Sequence, residues 1–269
     1  MNYVTHSQLV RDFRALGVQA GDTVMLHASV KAIGWVVGGP DVVLRALLDV
    51  LTPEGTLTMG LSWQDAPDLL ESWEEEARKA AYLAEMPPFD LLTSRADHAD
   101  MSILAEYLRT TPGAVRSEKP FSFAAVGKQA RYITADQPHN YRDGAGSPLE
   151  KLYQLNGKVL MLGAPLDTVT LIHYAENLAK VPNKRVVRYQ LPVLKNGETV
   201  WEDFEEFDTT YGIVDWDAEE DYFETITKTY IQHEGIPTGK VGDATTYLLQ
   251  AQTLVPFAVA WMEENFANL

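Results

Sequence analysis

The sequence predicts an α/β fold: a single domain built on a mixed β-sheet with helices on both faces. Three observations carry this. Thr23–His27, Asp41–Leu51 and Thr56–Leu61 read as strand, helix, strand at the spacing of a βαβ unit, which makes the two strands parallel. A second apolar run, Lys158–Gly163, leads through a short loop into apolar residues at helical spacing. These are Leu171, Ile172, Ala175, Leu178 and Ala179, and they stop at Pro182. Finally, Arg185–Leu194 and Glu198–Phe207 flank Asn196-Gly197, the strongest short signal for an antiparallel hairpin.

The remaining elements follow in order. Thr5 with Gln8 fits a capping box, Leu9, Val10, Phe13 and Leu16 supply an apolar face, and Gly17 ends the helix. Gly21-Asp22 is a turn before the first strand. Residues 62–99 read as irregular, with one acidic helix from about Leu70 to Ala84, broken at Pro87-Pro88-Phe89-Asp90. So long a stretch between core elements suggests a lid or substrate loop. Asp100 is expected to cap a helix running to Arg109, with Ile103, Leu104, Tyr107 and Leu108 inward. Phe121–Val126 is strand-like. Ser147-Pro148-Leu149-Glu150 combines an N-cap serine, a proline at N1 and a glutamate at N3, a strong helix start. Glu220–His233 is helical, Gly239–Gly242 a loop, and two helical stretches finish the chain. No repeat, linker or low-complexity segment divides residues 1–269.

Composition narrows the function. Lys+Arg count 22 against 38 Asp+Glu, a formal net charge of −16. A basic footprint for nucleic acid is absent, and an anionic membrane surface would repel the chain. The same field suits a cationic ligand. There is no cysteine, so thiolate nucleophiles, disulfides and Cys-ligated metals are excluded. No apolar run reaches membrane-spanning length, and residues 1–7 lack the apolar core of a signal peptide, so a cytoplasmic protein is expected.

The chemistry centres on His173 and Glu176, three apart on one helical face and just beyond a strand's carboxyl end, with Thr170 one turn earlier. An imidazole paired with a carboxylate is a common general base near neutral pH; the same pair, partly buried, can also serve only to anchor its helix. Ligands in such sheets gather at the carboxyl ends of strands, which makes His27–Val30 and Ser62–Asp65 candidate site loops. Ser29 and Ser147 lack the Gly-x-Ser-x-Gly elbow. Neither a P-loop nor a Gly-x-Gly-x-x-Gly is present. No metal site is expected, because nothing pairs with His173/Glu176 at ligand spacing. Arg116 and Lys119, beside Ser117 and Ser122, form a small basic cluster that reads either as a phosphate contact or as a solvated turn. Asp65, Asp208, Asp215 and Asp217, with Trp63, Tyr211 and Trp216, suit a polycationic, hydroxylated ligand, while the acids of 205–221 read equally as a solvated edge.

Together these segments resemble the aminoglycoside 3-N-acetyltransferases, the antibiotic N-acetyltransferase family, from about Leu9 to Trp261. The resemblance is carried by Leu16-Gly17-Val18, by Leu26–Val30 with Gly34, by Gly55–Met59, by Ser62-Trp63 and by Phe89-Asp90. It continues in Arg109–Ser117, Ser147-Pro148-Leu149 and Gly157–Leu160, and is most specific in Thr170–Glu176. It implies a fold distinct from the GCN5-related acetyltransferases, whose pyrophosphate loop this chain lacks. It also implies acetyl-CoA as donor and the 3-amine of a 2-deoxystreptamine ring as acceptor. His173 would be the base, with Glu176 and Thr170 beside it. His27, Ala28, Ser29 and Val30, with Arg116, Ser117, Lys119 and Ser122, would line the CoA side. Trp63, Asp65, Asp208, Asp215 and Asp217 would line the antibiotic side, and segments 62–99 and 202–222 would set substrate range. Lys119 departs from the histidine usual in the family before that proline. Small molecules are the only partners implied, for a monomer or a homodimer.

Overall fold

The computed structural model describes residues 3–66, 75–267 and 269. Its first half comprises α1 (His6–Leu16), β1 (Thr23–Ala28), α2 (Val30–Ile33), α3 (Asp41–Leu51), β2 (Thr56–Gly60), α4 (Glu76–Glu85), α5 (Ile103–Thr110), β3 (Val115–Arg116), β4 (Phe123–Gly127) and α6 (Ala130–Thr134). Then come α7 (Pro148–Gln154), β5 (Lys158–Leu162), α8 (Leu171–Leu178), β6 (Val186–Lys195), β7 (Glu198–Phe207), α9 (Tyr222–Glu234), β8 (Gly239–Val241), β9 (Ala244–Gln250) and α10 (Ala251–Asn265).

Seven strands form one mixed sheet in the order β3-β4-β2-β1-β5-β9-β8. β2, β1 and β5 run parallel at its centre, with antiparallel β4 and β9 on either side. Side chains alternate across the sheet as the strand period requires. Val24 and Leu26 join a core with Leu9, Phe13, Leu47 and Leu104 from α1, α3 and α5. Met25 and Met161 join a second core with Leu152, Ile172, Ile226 and Leu254 from α7 to α10. Burial on both faces explains why β1 and β5 read as unbroken apolar runs.

Local signals set the boundaries. Thr5 Oγ1 accepts the Gln8 N–H at 3.2 Å, and Gly17 ends α1 at φ 105°. Ser147 Oγ accepts the Glu150 N–H at 3.0 Å with Pro148 at N1. Asn196 (φ 52°) and Gly197 (φ 84°) make the turn that joins β6 to β7 in full antiparallel register.

Four expectations are corrected. Ser102, not Asp100, caps α5, its hydroxyl accepting the Leu104 N–H at 3.4 Å. Tyr107 is exposed, because it falls on the flank of the Leu104, Ala105 and Leu108 stripe. Gly239–Val241 is a strand rather than a loop, and the stretch after it is β9 followed by one helix instead of two. β9 pairs with β5 from Lys158↔Gln250 to Leu162↔Thr246, satisfying the backbone edge of β5. Its seven residues are too few for pattern alone to separate strand from helix. The expected start of the acidic helix at Leu70 lies outside the described residues; α4 begins at Glu76. Among the described residues no helix is long and apolar enough to cross a membrane.

Candidate active site

The carboxyl ends of β1, β2 and β5 form one rim of the sheet. β1 continues into α3 on one face, whereas β5 continues through a 3₁₀ turn (Leu166–Thr168) into α8 on the other. Ligands of open α/β sheets bind where connections diverge in this way. The loop after β1 is tied to β5 by the Ser29 N–H donating to Leu162 O at 3.0 Å. Gly163 then turns with φ +64°, and a Cβ there would lie 2.6 Å from Ala32 Cβ and 3.1 Å from Ala244 Cβ. Neither neighbour can rotate away. Gly163→Ala is therefore expected to destabilise the fold by about 1–3 kcal/mol. Urea denaturation checks this, and an unchanged midpoint would contradict it.

Thr170 precedes α8, and its carbonyl accepts the His173 N–H at 3.0 Å. One turn on, Glu176 is buried at 1% exposure. His173 Nδ1 lies 2.6 Å from Glu176 Oε2, and the Tyr222 hydroxyl donates to Glu176 Oε1. The Phe223 ring packs against the imidazole at 4.7 Å. With Nδ1 engaged, Nε2 is the nitrogen left to exchange a proton with a ligand. Burial by itself would lower the His173 pKa. The charge and hydrogen bond of Glu176, helped by Asp143 and opposed by Arg142, outweigh it and raise the pKa above the ordinary 6.5.

Two clefts meet at this histidine. One encloses about 830 Å³ and the other about 880 Å³; Gly60, Asp100, Met101, Thr170 and His173 line both. The first cleft has an acidic wall of Asp143, Glu206 and Asp208. Arg142 sits within that wall, its Nε 3.5 Å from Asp143 Oδ2 and its Nη1 bonded to Glu206. The Tyr189 hydroxyl also donates to Glu206. Burial raises the Glu206 pKa despite these partners. The second cleft is lined by His27, Ala28, Ser29, Val30 and Lys31. His27 Nε2 is buried and finds no hydrogen-bond partner among the described residues. Burial lowers the His27 pKa to about 4, so its ring is neutral.

His173, Glu176 and Thr170 thus come together, and His27–Val30 share a cleft with them. The basic cluster does not assemble. Ser117 is fully buried, donating to Gln137 Oε1 at 2.6 Å and accepting the Phe123 N–H at 2.9 Å. Arg116 turns inward over the Phe89 ring, with Nε 2.8 Å from Ser122 Oγ and Nη1 2.5 Å from Ser94 O. Lys119 Nζ points to His139 Nδ1 at 3.4 Å. A turn closed between Ser117 and Phe123 directs these side chains away from the second cleft, and Ser122 lines the first instead.

The acceptor-side expectations are met in part. Asp208 lines the first cleft, buried, its Oδ1 accepting the Thr210 and Tyr211 N–H groups at 2.9 Å each. Exposed Tyr211 lines it too. Trp63 is instead a core residue, 1% exposed and edge-on to Phe89 at 5.7 Å. Asp65 lines neither cleft. Asp215 pairs with Arg185 on the surface, Asp217 is exposed, and Trp216 packs on Trp261 and Phe266. Sequence reasoning missed Asp100, Arg142, Asp143, Glu206 and Tyr222. Glu206 carried a usable signal: Phe204, Glu206 and Asp208 are all buried, the inward set of a period-two strand.

A profile of the aminoglycoside 3-N-acetyltransferases matches residues 25–263. The chain is 51% identical over 266 residues to aminoglycoside N(3)-acetyltransferase III of Pseudomonas aeruginosa, which covers 98% of this chain and 95% of that one. Among solved structures it is similar to AAC-IIIb in binary complex with CoASH, with a TM-score of 0.88, 41% identity, and 100% and 99% of the two chains covered. It is also similar to AAC-VIa bound to sisomicin, with a TM-score of 0.90, 34% identity, and 99% and 100% covered. Matched in sequence and in fold over nearly its whole length, the chain belongs to the aminoglycoside 3-N-acetyltransferase family.

Proposed function

We propose that this acyltransferase moves the acetyl group of acetyl-CoA to the 3-amine of a 2-deoxystreptamine aminoglycoside, conferring resistance, with His173 as general base. The observation that carries this reading is that His173, backed by buried Glu176, lines both clefts. AAC-IIIb with CoASH and AAC-VIa with sisomicin support the two ligand classes. The need for acetyl-CoA leads us to assign the enzyme to the cytoplasm.

The first cleft suits a polycation. Asp143, Glu206 and Asp208 offer charge-assisted acceptors to ammonium groups. The second cleft fits the donor, and the orphaned His27 Nε2 gives it a polar contact along the way. His173 Nε2 takes the proton that the attacking amine must lose, and Glu176 stabilises the imidazolium that results. Charge develops on the thioester oxygen and needs an N–H donor. The Ser29 N–H is committed to Leu162 O, so we assign the Val30 N–H at the start of α2.

His173 must be neutral to act. Its raised pKa means that activity is lost as pH falls through a midpoint above 6.5. A kcat/KM profile for the aminoglycoside checks this; a midpoint well below that value would count against His173. The proposed reaction itself is tested by CoA release from acetyl-CoA with a panel of aminoglycosides, and by product NMR to locate the acetyl group. Tight aminoglycoside binding without CoA release would mark a non-catalytic binder of cationic aminosugars and overturn the proposal.

A further inference from the structure

We propose that Tyr222 is a positioning residue for the base: its hydroxyl holds Glu176 so that the other carboxylate oxygen faces His173 Nδ1. This rests on the reading of His173 as the base. Tyr222 stands at the start of α9 and is buried at 4% exposure. Its oxygen accepts the Ile213 N–H at 3.3 Å. That bond occupies the acceptor side of the hydroxyl and leaves its proton for Glu176 Oε1. Glu176 therefore has both oxygens engaged, one by Tyr222 and one by His173. The carboxylate cannot rotate without breaking a buried bond.

The surroundings are built to keep this hydroxyl in place. Gly212 has φ +80°, and a Cβ there would lie 2.7 Å from Tyr222 Cε1 and 2.9 Å from its hydroxyl oxygen. The Phe266 ring meets Tyr222 edge-on at 5.4 Å. Gly212 and Ile213 directly follow Tyr211, which lines the first cleft. The segment on the acceptor side is thus the one that secures the carboxylate behind the base.

Other charged groups face the pair and are unaffected by the variants below. Asp143, Arg142 and Glu206 act on His173 from the first cleft. Lys184 Nζ donates to the Glu176 backbone oxygen at 2.6 Å, and Asp221 adjoins Tyr222. The Tyr222 hydrogen bond favours the state in which His173 is neutral and Glu176 carries an uncompensated charge. Removing it makes that state harder to reach.

Tyr222→Phe keeps the ring and deletes the donor. Expected is a rise of about half a unit to one unit in the acid-limb midpoint of kcat/KM. At neutral pH, kcat should fall by about 3- to 10-fold, with KM for acetyl-CoA unchanged. A profile superposing on wild type would overturn the proposal, even if kcat fell, because a merely structural tyrosine would not move the limb. Should Tyr222→Phe fail to fold, Gly212→Ala presses on the same hydroxyl. A limb raised in that variant supports the proposal, and an unmoved limb rejects it. Failure of the underlying reading looks different: His173→Ala would then keep the acid limb, whatever Tyr222→Phe does.

Discussion

Replacing His173 by alanine is expected to lower turnover by ~10²–10⁴ while leaving a folded protein. His173 stands at the meeting of the two clefts, and its Nε2 is the basic atom assigned to the acceptor amine. Without it the amine must be deprotonated by solvent. The variant removes the partner of buried Glu176 Oε2, but the space vacated opens to the clefts and admits water. The stability loss should therefore stay at about 1–3 kcal/mol, enough to measure and too little to unfold the chain. Near-full CoA release by the variant would remove the histidine from the chemistry.

Glu176→Gln should cost nearly as much in turnover, ~10³-fold or more, with KM for either substrate changed little. The side chain is buried and keeps its size, so packing is conserved. What changes is the hydrogen bonding. The Tyr222 hydroxyl donates toward Oε1, so the amide oxygen settles there and the NH₂ group turns to His173 Nδ1. Nδ1 must then accept rather than donate, which places the ring proton on Nε2, the atom that has to be bare. Steady-state kinetics of CoA release measure the loss. Turnover within a few-fold of wild type would mean that the carboxylate does not set the tautomer.

Much of this was legible in the sequence where local chemistry dictates local structure. Thr5, Ser147 and Asn196-Gly197 fix their caps and turn by short-range bonding alone. The His173–Glu176 contact follows from helical spacing, which needs no tertiary information. The Arg116–Ser122 segment shows the limit. Its cations looked like a phosphate contact, but Phe89 and Ser94, from a segment far along the chain, capture Arg116. Trp63 was misread for the same reason, because Phe89 and Val193 close over it. Tyr222 reaches Glu176, and Asp143 and Glu206 face the histidine, only through the arrangement of α9, a loop and β7, and no spacing along the chain announces that meeting. β9 was lost because its identity as a strand depends on β5 beside it.

The most direct measurement is the pH dependence of kcat/KM for CoA release with an aminoglycoside acceptor, wild type beside His173→Ala, from about pH 5 to 9, the interval across which a perturbed histidine titrates. Expected is an acid limb in the wild type with its midpoint above 6.5 and loss of that limb in the variant, whose residual rate climbs with hydroxide alone. The same limb at the same midpoint in both proteins would contradict the assignment of His173 as the base.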